Sequence, residues 1–373
     1  MEIANALNNQ KKEFKCMSPC CDLDKIKSKF IFNKVFSHLQ KLLSLKIIHY
    51  NKRFQKRLNI KKLDYKNYTK IVIELIPIRK KNEYEKFINI PYNENESHFH
   101  IYFNDSKEEI KRNYLYSDDK VTKIKICIDY QVTSLERLFE GCKYIKYINF
   151  IRFYKNNIKS MSRMFYLCNS LENLNLLNFN TENIKDMNNM FYHCSKLEKL
   201  NLSCFNTNNV NDISSMFEGC SNLKELDLTH FNINKIERME SMLYGCYSLE
   251  KLKICNYNGI NINDFFFKEC HSIKNLFIYQ INTNKLIDMC YIFYKCPLLE
   301  KIYILNSIPK NKTKFFENYP SLIKLDLSDF IMKNINNINE VGFLCKSLTK
   351  LDIGNFNPKN SNSMNQFLFK LNK

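Results

Sequence analysis

Fifteen cysteines in 373 residues are the side chains with the most obvious capacity for chemistry. Cys142, Cys168, Cys194, Cys220 and Cys246 recur every 26 residues, and Cys270, Cys296 and Cys345 continue the series. Such a series could ligate zinc or form disulfides. Zinc needs four ligands gathered at one point, whereas this spacing spreads one sulfur per unit and contains no Cys-x-x-Cys pair. Bridges between neighbouring units fit a strand spacing of about 5 Å. An odd cysteine total and the lack of an export signal point instead to reduced thiols. Replacements within the series favour packing, because Tyr319 and Leu371 hold the same slot. The expectation is a structural ladder of small buried side chains, with the redox state of its thiols left open.

Other candidates are sparse. Cys16, Cys20 and Cys21 in "CMSPCC" suit S-acylation or metal binding; the alternative is an exposed tail over residues 1–24. His98 and His100 in "SHFHIYF" are expected on one face of a strand, as a metal pair or simply as surface residues. No P-loop, nucleophile elbow or His-Glu-x-x-His motif occurs. The reading is therefore not an enzyme, with no cofactor, no metal and no catalytic residue assigned.

The elements that carry these residues form a repeat. From each slot, apolar residues follow at +3, +6 and +8, as in Leu197, Leu200 and Leu202 after Cys194. The last two have strand period, with Lys199 and Asn201 on the other face. An aromatic comes three later (Phe179, Phe205, Phe231, Phe330, Phe356), then an Asn-rich turn such as "NTEN". Met187, Met190, Phe191, Cys194 and Leu197 then sit at i, i+3, i+4, i+7 and i+10, the apolar face of a short helix. Gly141, Gly219 and Gly245 precede the slot cysteine and suit a helix end with positive φ; Leu167 and His193 hold that place elsewhere. The fold class expected is α/β: a solenoid with short parallel strands on one face and short helices on the other. It would span residues 118–373 in about ten coils.

The full pattern, "L-x-x-L-x-L-x-x-F-N-T-x-N-[IV]-x-x-M-x-x-M-F-x-x-C", resembles the BspA-like leucine-rich repeat. The resemblance implies binding roles such as surface adhesion, and no catalytic residues.

The formal charge of +19 prompts a search for an anionic partner. Only eight of 57 basic residues are arginine, which argues against nucleic-acid readout. Residues 1–70 hold 17 basic and five acidic residues, so most of the charge lies there. Between Lys25 and Leu63 are 12 basic residues and no acidic one. Phe32, Val35, Phe36, Leu39, Leu42, Leu43 and Ile47 give this region helical spacing, making a basic helical head over residues 25–63. Three roles compete for it. It could pack on the solenoid, or contact an anionic membrane peripherally as an amphipathic helix. The third follows from "IFNKVFSHLQKLLSLKIIHYNKRFQKRL", which resembles an F-box; that would imply a Skp-type adaptor and a substrate receptor of a ubiquitin ligase. Residues 64–117 are expected to cap the solenoid, with strands in "YTKIVIELIPI" and "HFHIYF". A helix is expected in "SKEEIKRNYLY", with Ser106 as its N-cap and Glu109 three residues on completing a capping box.

Outward strand positions of successive coils should form one surface. One such ladder reads Asn149, Asn175, Asn201, Asp227, Lys253, Phe277, Tyr303, Asp326 and Asp352. Phe277 and Tyr303 interrupt a polar row, with Tyr279, Lys251 and Lys301 beside them. Together with Lys253 these are the candidate partner-binding residues. The function expected is a non-enzymatic protein-interaction scaffold, with the ubiquitin-ligase receptor and the surface adhesin as alternatives. A monomer is expected. The compartment expected is cytoplasmic, with the cell surface second, because no signal peptide or membrane-spanning run is visible.

Overall fold

The computed structural model describes Lys56 and residues 70–78, 84–153, 157–232, 235–255 and 271–279. Beyond these it describes residues 298, 300–305, 324–326 and 350–352. The chain divides into two compact units, Met1–Thr69 and Lys70–Lys373. Of the tail and the basic helical head, only Lys56 is described, exposed and helical in its backbone. The F-box-like reading therefore lies outside the described residues.

The larger unit opens with an antiparallel cap. β1 (Ile71–Pro77) alternates apolar and polar residues, which buries Ile71, Ile73 and Leu75. It pairs antiparallel with β5 (Ile124–Ile128) on one side and with β6 (Ile145–Arg152) on the other. β3 (Phe99–Phe103) adds to β5, and β7 (Asn173–Asn175) pairs parallel with β6. A two-stranded ribbon, β2 (Glu85–Lys86) with β4 (Tyr114–Leu115), stands apart. Parallel stacking thus begins at β6. Residues 121–126 fall within the span 118–373 expected for the solenoid, yet they contribute to an antiparallel strand of the cap. The helix expected from Ser106 is not formed. Its hydroxyl accepts from the amide of Glu108 at 3.0 Å, a local turn, and Ile110 bonds back to Ile101.

Asn89 closes the first coil chemically. Its amide N–H donates to the Leu138 carbonyl at 2.7 Å, and its side-chain amide donates to the carbonyls of Glu140 (2.7 Å) and Arg137 (3.2 Å). The Leu138 and Glu140 carbonyls would otherwise be orphaned at the end of the stack, whereas that of Arg137 also accepts from the Glu140 amide at 2.9 Å.

A second sheet of six parallel strands continues the array: β8 (Glu225–Leu228), β9 (Lys251–Cys255), β10 (Asn275–Tyr279), β11 (Lys301–Leu305), β12 (Lys324–Asp326) and β13 (Lys350–Asp352). Between β7 and β8, the coil at residues 199–202 carries only one bridge, from Lys199 to Glu225.

The face opposite the strands corrects the sequence reading. The Met–Phe–Cys segments are ladders of turns, and the helices expected there are absent from the described coils. In the coil at 161–168, the N–H groups of Met161, Arg163, Phe165 and Leu167 donate to carbonyls of the next coil at 2.8–3.0 Å. Met164, Tyr166 and Cys168 donate three residues back, to Met161, Arg163 and Phe165. An α-helix would commit every one of these amides to the carbonyl four residues back. The turn ladder instead gives alternate amides to the neighbouring coil. It has a four-residue period, with left-handed backbone at Arg163 (φ 54°) and Leu167 (φ 59°). Over eight residues that period buries the same i, i+3, i+4, i+7 set as a helix. The positive φ expected at Gly141, Gly219 and Gly245 is present at 69°, 72° and 72°, and also at His193 (53°). What it ends is a turn, and no helix precedes it.

The core is a set of columns running from coil to coil. Phe139, Phe165, Phe191 and Phe217 stack at 5.7, 5.4 and 5.5 Å. A second column joins Phe153, Phe179, Phe205 and Phe231. Each fully buried Phe contributes about 1.5–3 kcal/mol. Thr181 and Thr207, within the Asn-rich turns, are buried as well. The Thr181 hydroxyl donates to the Asn206 carbonyl at 3.1 Å and accepts from the Asn206 amide at 2.7 Å.

Candidate functional site: the outward strand face

The slot cysteines face inward and do structural work. Cys142, Cys168, Cys194, Cys220 and Cys246 are buried free thiols. Four of them donate to a phenylalanine carbonyl of the preceding coil at 3.1 Å: Cys168 to Phe139, Cys194 to Phe165, Cys220 to Phe191 and Cys246 to Phe217. Burial pushes the thiols of Cys142, Cys168, Cys194 and Cys220 up, for Cys220 to about 12, so the thiolate needed for attack or metal ligation is suppressed there. Cys270, Cys296, Cys345, Cys16, Cys20 and Cys21 lie outside the described residues. His98 and His100 form no joint site. His100 sits between Glu109 (Nδ1 to Oε1, 3.0 Å) and Asp129 (Nε2 to Oδ2, 3.5 Å), while His98 closes a 3-10 turn. Among the described residues no cluster of three His, Cys, Asp or Glu could hold a metal ion.

From β7 onward, strand length on the outward face follows one position in each coil; β6, paired with β1, runs on past Asn149 to Arg152. The Asn175 side-chain oxygen accepts from the Leu177 amide at 3.1 Å, Asn201 from Ser203 at 3.0 Å, and Asp227 from Thr229 at 3.1 Å. Each is an Asx turn, which takes the backbone out of strand geometry two residues on. β7 accordingly has three residues and β8 four. β12 and β13, which end on Asp326 and Asp352, have three each. β9, β10 and β11 carry Lys253, Phe277 and Tyr303 at this position, and each runs five residues.

The candidate partner-binding residues fall together on this widened part. Lys251 pairs in register with Asn275 and Asn275 with Lys301; Lys253 pairs with Phe277 and Phe277 with Tyr303. Tyr279 lies in the next row, beside Cys255 and Leu305. Leu252, Ile254 and Leu276 point inward and are buried; Lys251, Lys253, Phe277, Tyr279, Lys301 and Tyr303 are half-buried. The rings of Phe277 and Tyr303 stack at 4.3 Å and 3°, and Lys251 Nζ lies 5.8 Å from the Phe277 centroid. Lys251 pairs with Glu225 at 3.4 Å and Lys253 with Asp227 at 2.8 Å. Partial burial pushes the Asp227 carboxyl up. Hydrogen bonds from Lys253 and Thr229 outweigh this and hold it below the usual carboxylate value.

A groove of about 890 Å³ adjoins the ridge. It lies over the coil at residues 199–202, where strand pairing lapses. Leu174 and Leu200 contribute to its floor, and Lys251 and Lys253 form its far end. Sequence reasoning missed both the groove and the Asx turns. The turns could have been found, since Asn or Asp recurs at one outward position. The groove could not, because it arises from backbone pairing.

Comparison with known families agrees with this geometry. The BspA type leucine rich repeat region matches in six copies, over residues 77–187 and 261–372. The chain belongs to the BspA-type leucine-rich-repeat family. A second match, over residues 133–257, is to a family described as "Mycoplasma protein of unknown function, DUF285". It covers the coils whose turn ladders are described above. No curated protein matches this BspA-type chain. Among its described residues no helix is long and apolar enough to cross a membrane.

Proposed function

We propose that this BspA-type protein is a non-enzymatic, adhesin-like interaction scaffold that holds a protein partner on the outward face of β9–β11. The observation that supports this is the register of three five-residue strands, which sets Phe277, Tyr279 and Tyr303 among lysines on one surface. Aromatic residues held by a sheet lose little conformational freedom on binding, which is the character of an interface hot spot. The stacked pair Phe277–Tyr303 stands where other coils carry a turn-forming Asn or Asp. The test uses the full chain as bait. Phe277→Ala combined with Tyr303→Ala should weaken partner capture at least tenfold, a loss of about 1.4 kcal/mol, while leaving thermal melting nearly unchanged. Undiminished capture by the folded double variant would sink the proposal.

A further inference from the structure

The cap carries an aromatic surface of its own. In the β2–β4 ribbon Glu85 pairs with Leu115 and Lys86 with Tyr114, and Glu85 and Leu115 are buried. Strand alternation therefore puts Tyr84, Lys86, Arg112, Tyr114 and Tyr116 on the outer face. The Tyr84 ring stacks on Tyr114 with centroids 4.4 Å apart, and Tyr116 stands at 86° to Tyr114 at 5.1 Å. The hydroxyls of Tyr114 and Tyr116 meet at 3.0 Å. Tyr84 is 64% exposed and Tyr116 51%.

The surroundings of these rings rule out several classes of ligand. The corner between Tyr114 and Tyr116 would suit a cation, but Arg112 fills it. Its guanidinium lies 4.8 Å from the Tyr116 centroid, 5.7 Å from Tyr114 and 5.2 Å from buried Phe103. An anion gains little from that guanidinium, because Asp119 holds both its amino groups at 2.6 Å. A peptide strand would add to the outer edge of β4, but that edge is closed. The Tyr114 carbonyl accepts from Arg112 at 2.9 Å, and the Tyr116 amide donates to Asp119 at 2.7 Å. An apolar side chain would strand the phenol hydroxyls. Their mutual bond uses one hydroxyl hydrogen and leaves the other to donate. What remains is a ligand with a flat C–H face and hydroxyl groups at its rim.

We infer that the Tyr84–Tyr114–Tyr116 platform binds a saccharide ring, stacked on Tyr84 and hydrogen-bonded through its hydroxyls to Tyr116. The electron-rich face of the aromatic ring attracts the polarised C–H groups of the sugar. Arg112 and Asp119 neutralise each other and brace the rings before a ligand arrives, which lowers the ordering cost of binding. Lys86 remains exposed on the same face, so recognition of an acidic sugar through charge is the reading to separate. The inference stands apart from the scaffold reading of β9–β11. A glycan on a partner protein and a free polysaccharide offer the same ring chemistry.

The test applies the full chain to a printed array of neutral oligosaccharides and their sialylated and sulfated counterparts. Neutral glycans should bind, and Tyr84→Ala should reduce that binding about tenfold. Tyr84→Trp keeps a stacking face and should retain it, while Tyr116→Phe should cost about fivefold by removing one hydroxyl. The Phe277→Ala, Tyr303→Ala variant should bind as the wild type does. Capture of glycoproteins that is lost on enzymatic deglycosylation would assign the sugar to a protein-borne glycan, and binding of soluble neutral polysaccharide to a free one; either supports the inference. Hits confined to acidic glycans would place recognition on Lys86 and overturn it. So would an array without hits, or binding that the folded Tyr84→Ala variant keeps.

Discussion

The coils from Ser160 to Leu228 and those from Lys251 to Leu305 share one repeat yet present different surfaces. In the first group the outward Asn or Asp is consumed by its own backbone. Asn175, Asn201 and Asp227 accept amide protons two residues on, and the strand stops. In the second group Lys253, Phe277 and Tyr303 cannot make that turn; the strands run five residues and a third outward row appears. The inside hardly changes between the groups, since Leu226 and Leu228 become Leu252 and Ile254 and stay buried. Away from β6, which β1 holds extended, one side-chain type at one position thus accompanies the width of the sheet, and with it how much surface a partner could meet.

The largest effect should come from the shared interior. Phe191 is the third ring of a four-ring column and is fully buried. Phe191→Ala should cost about 3–5 kcal/mol. Hydrogen exchange should accelerate at Phe165 and Phe217 before β9–β11 is affected. Equal acceleration in both regions would show one cooperative body and erase the contrast.

A smaller effect should follow from exchanging the outward residues. Phe277→Asn restores an Asx turn and should shorten β10, exposing the amide of Tyr279 to exchange. Loss of the stacked pair should cost about 1 kcal/mol. Asp227→Tyr should lengthen β8 in return. Unchanged amide protection in both variants would mean that strand length is set elsewhere.

The smallest effect concerns charge at the edge of the first group. Asp186 is raised above the ordinary carboxyl value by burial and then by neighbouring Asp212, which itself binds Arg238. A native carboxyl that holds its proton more tightly than the unfolded one favours folding at low pH. That contribution is lost as pH rises through the native pKa. Asp186→Asn keeps the acceptor used by the Asn188 amide at 2.9 Å. It should raise the melting temperature by a degree or two at pH 7, from a gain below about 1 kcal/mol. The gain should vanish below the ordinary carboxylate range, and a gain that persists there would contradict the electrostatic account.

The two regions also differ in how far the sequence could be read. The 26-residue period named the buried columns, because Cys194, Leu197 and Leu202 must face a neighbour at every step. It also put the six candidate residues on neighbouring strands, which is where the register of β9, β10 and β11 has them. It failed on Met187–Cys194, where eight residues cannot separate a 3.6-residue period from a four-residue one. Only the left-handed φ at Asn189 and His193 distinguishes them, and neither residue type announces it. Asn175 reads from sequence only as an outward ladder residue, because strand alternation says where a side chain points, not what it bonds. Cys194 was read as apolar filler, and the structure adds a thiol donor to Phe165.

Asn89 carries a consequence beyond the first coil. In the described Met–Phe–Cys turns, amides such as those of Met161, Arg163, Phe165 and Leu167 donate toward later coils, while Lys159, Lys185 and Asn211 beside them donate to the coil before, so the turn ladder itself has a donor end and an acceptor end. An array of that kind can polymerise, the donor end of one molecule docking on the acceptor end of the next. Asn89 already occupies the carbonyls of Arg137, Leu138 and Glu140. It thereby leaves those carbonyls closed to the amides of any further coil at that end.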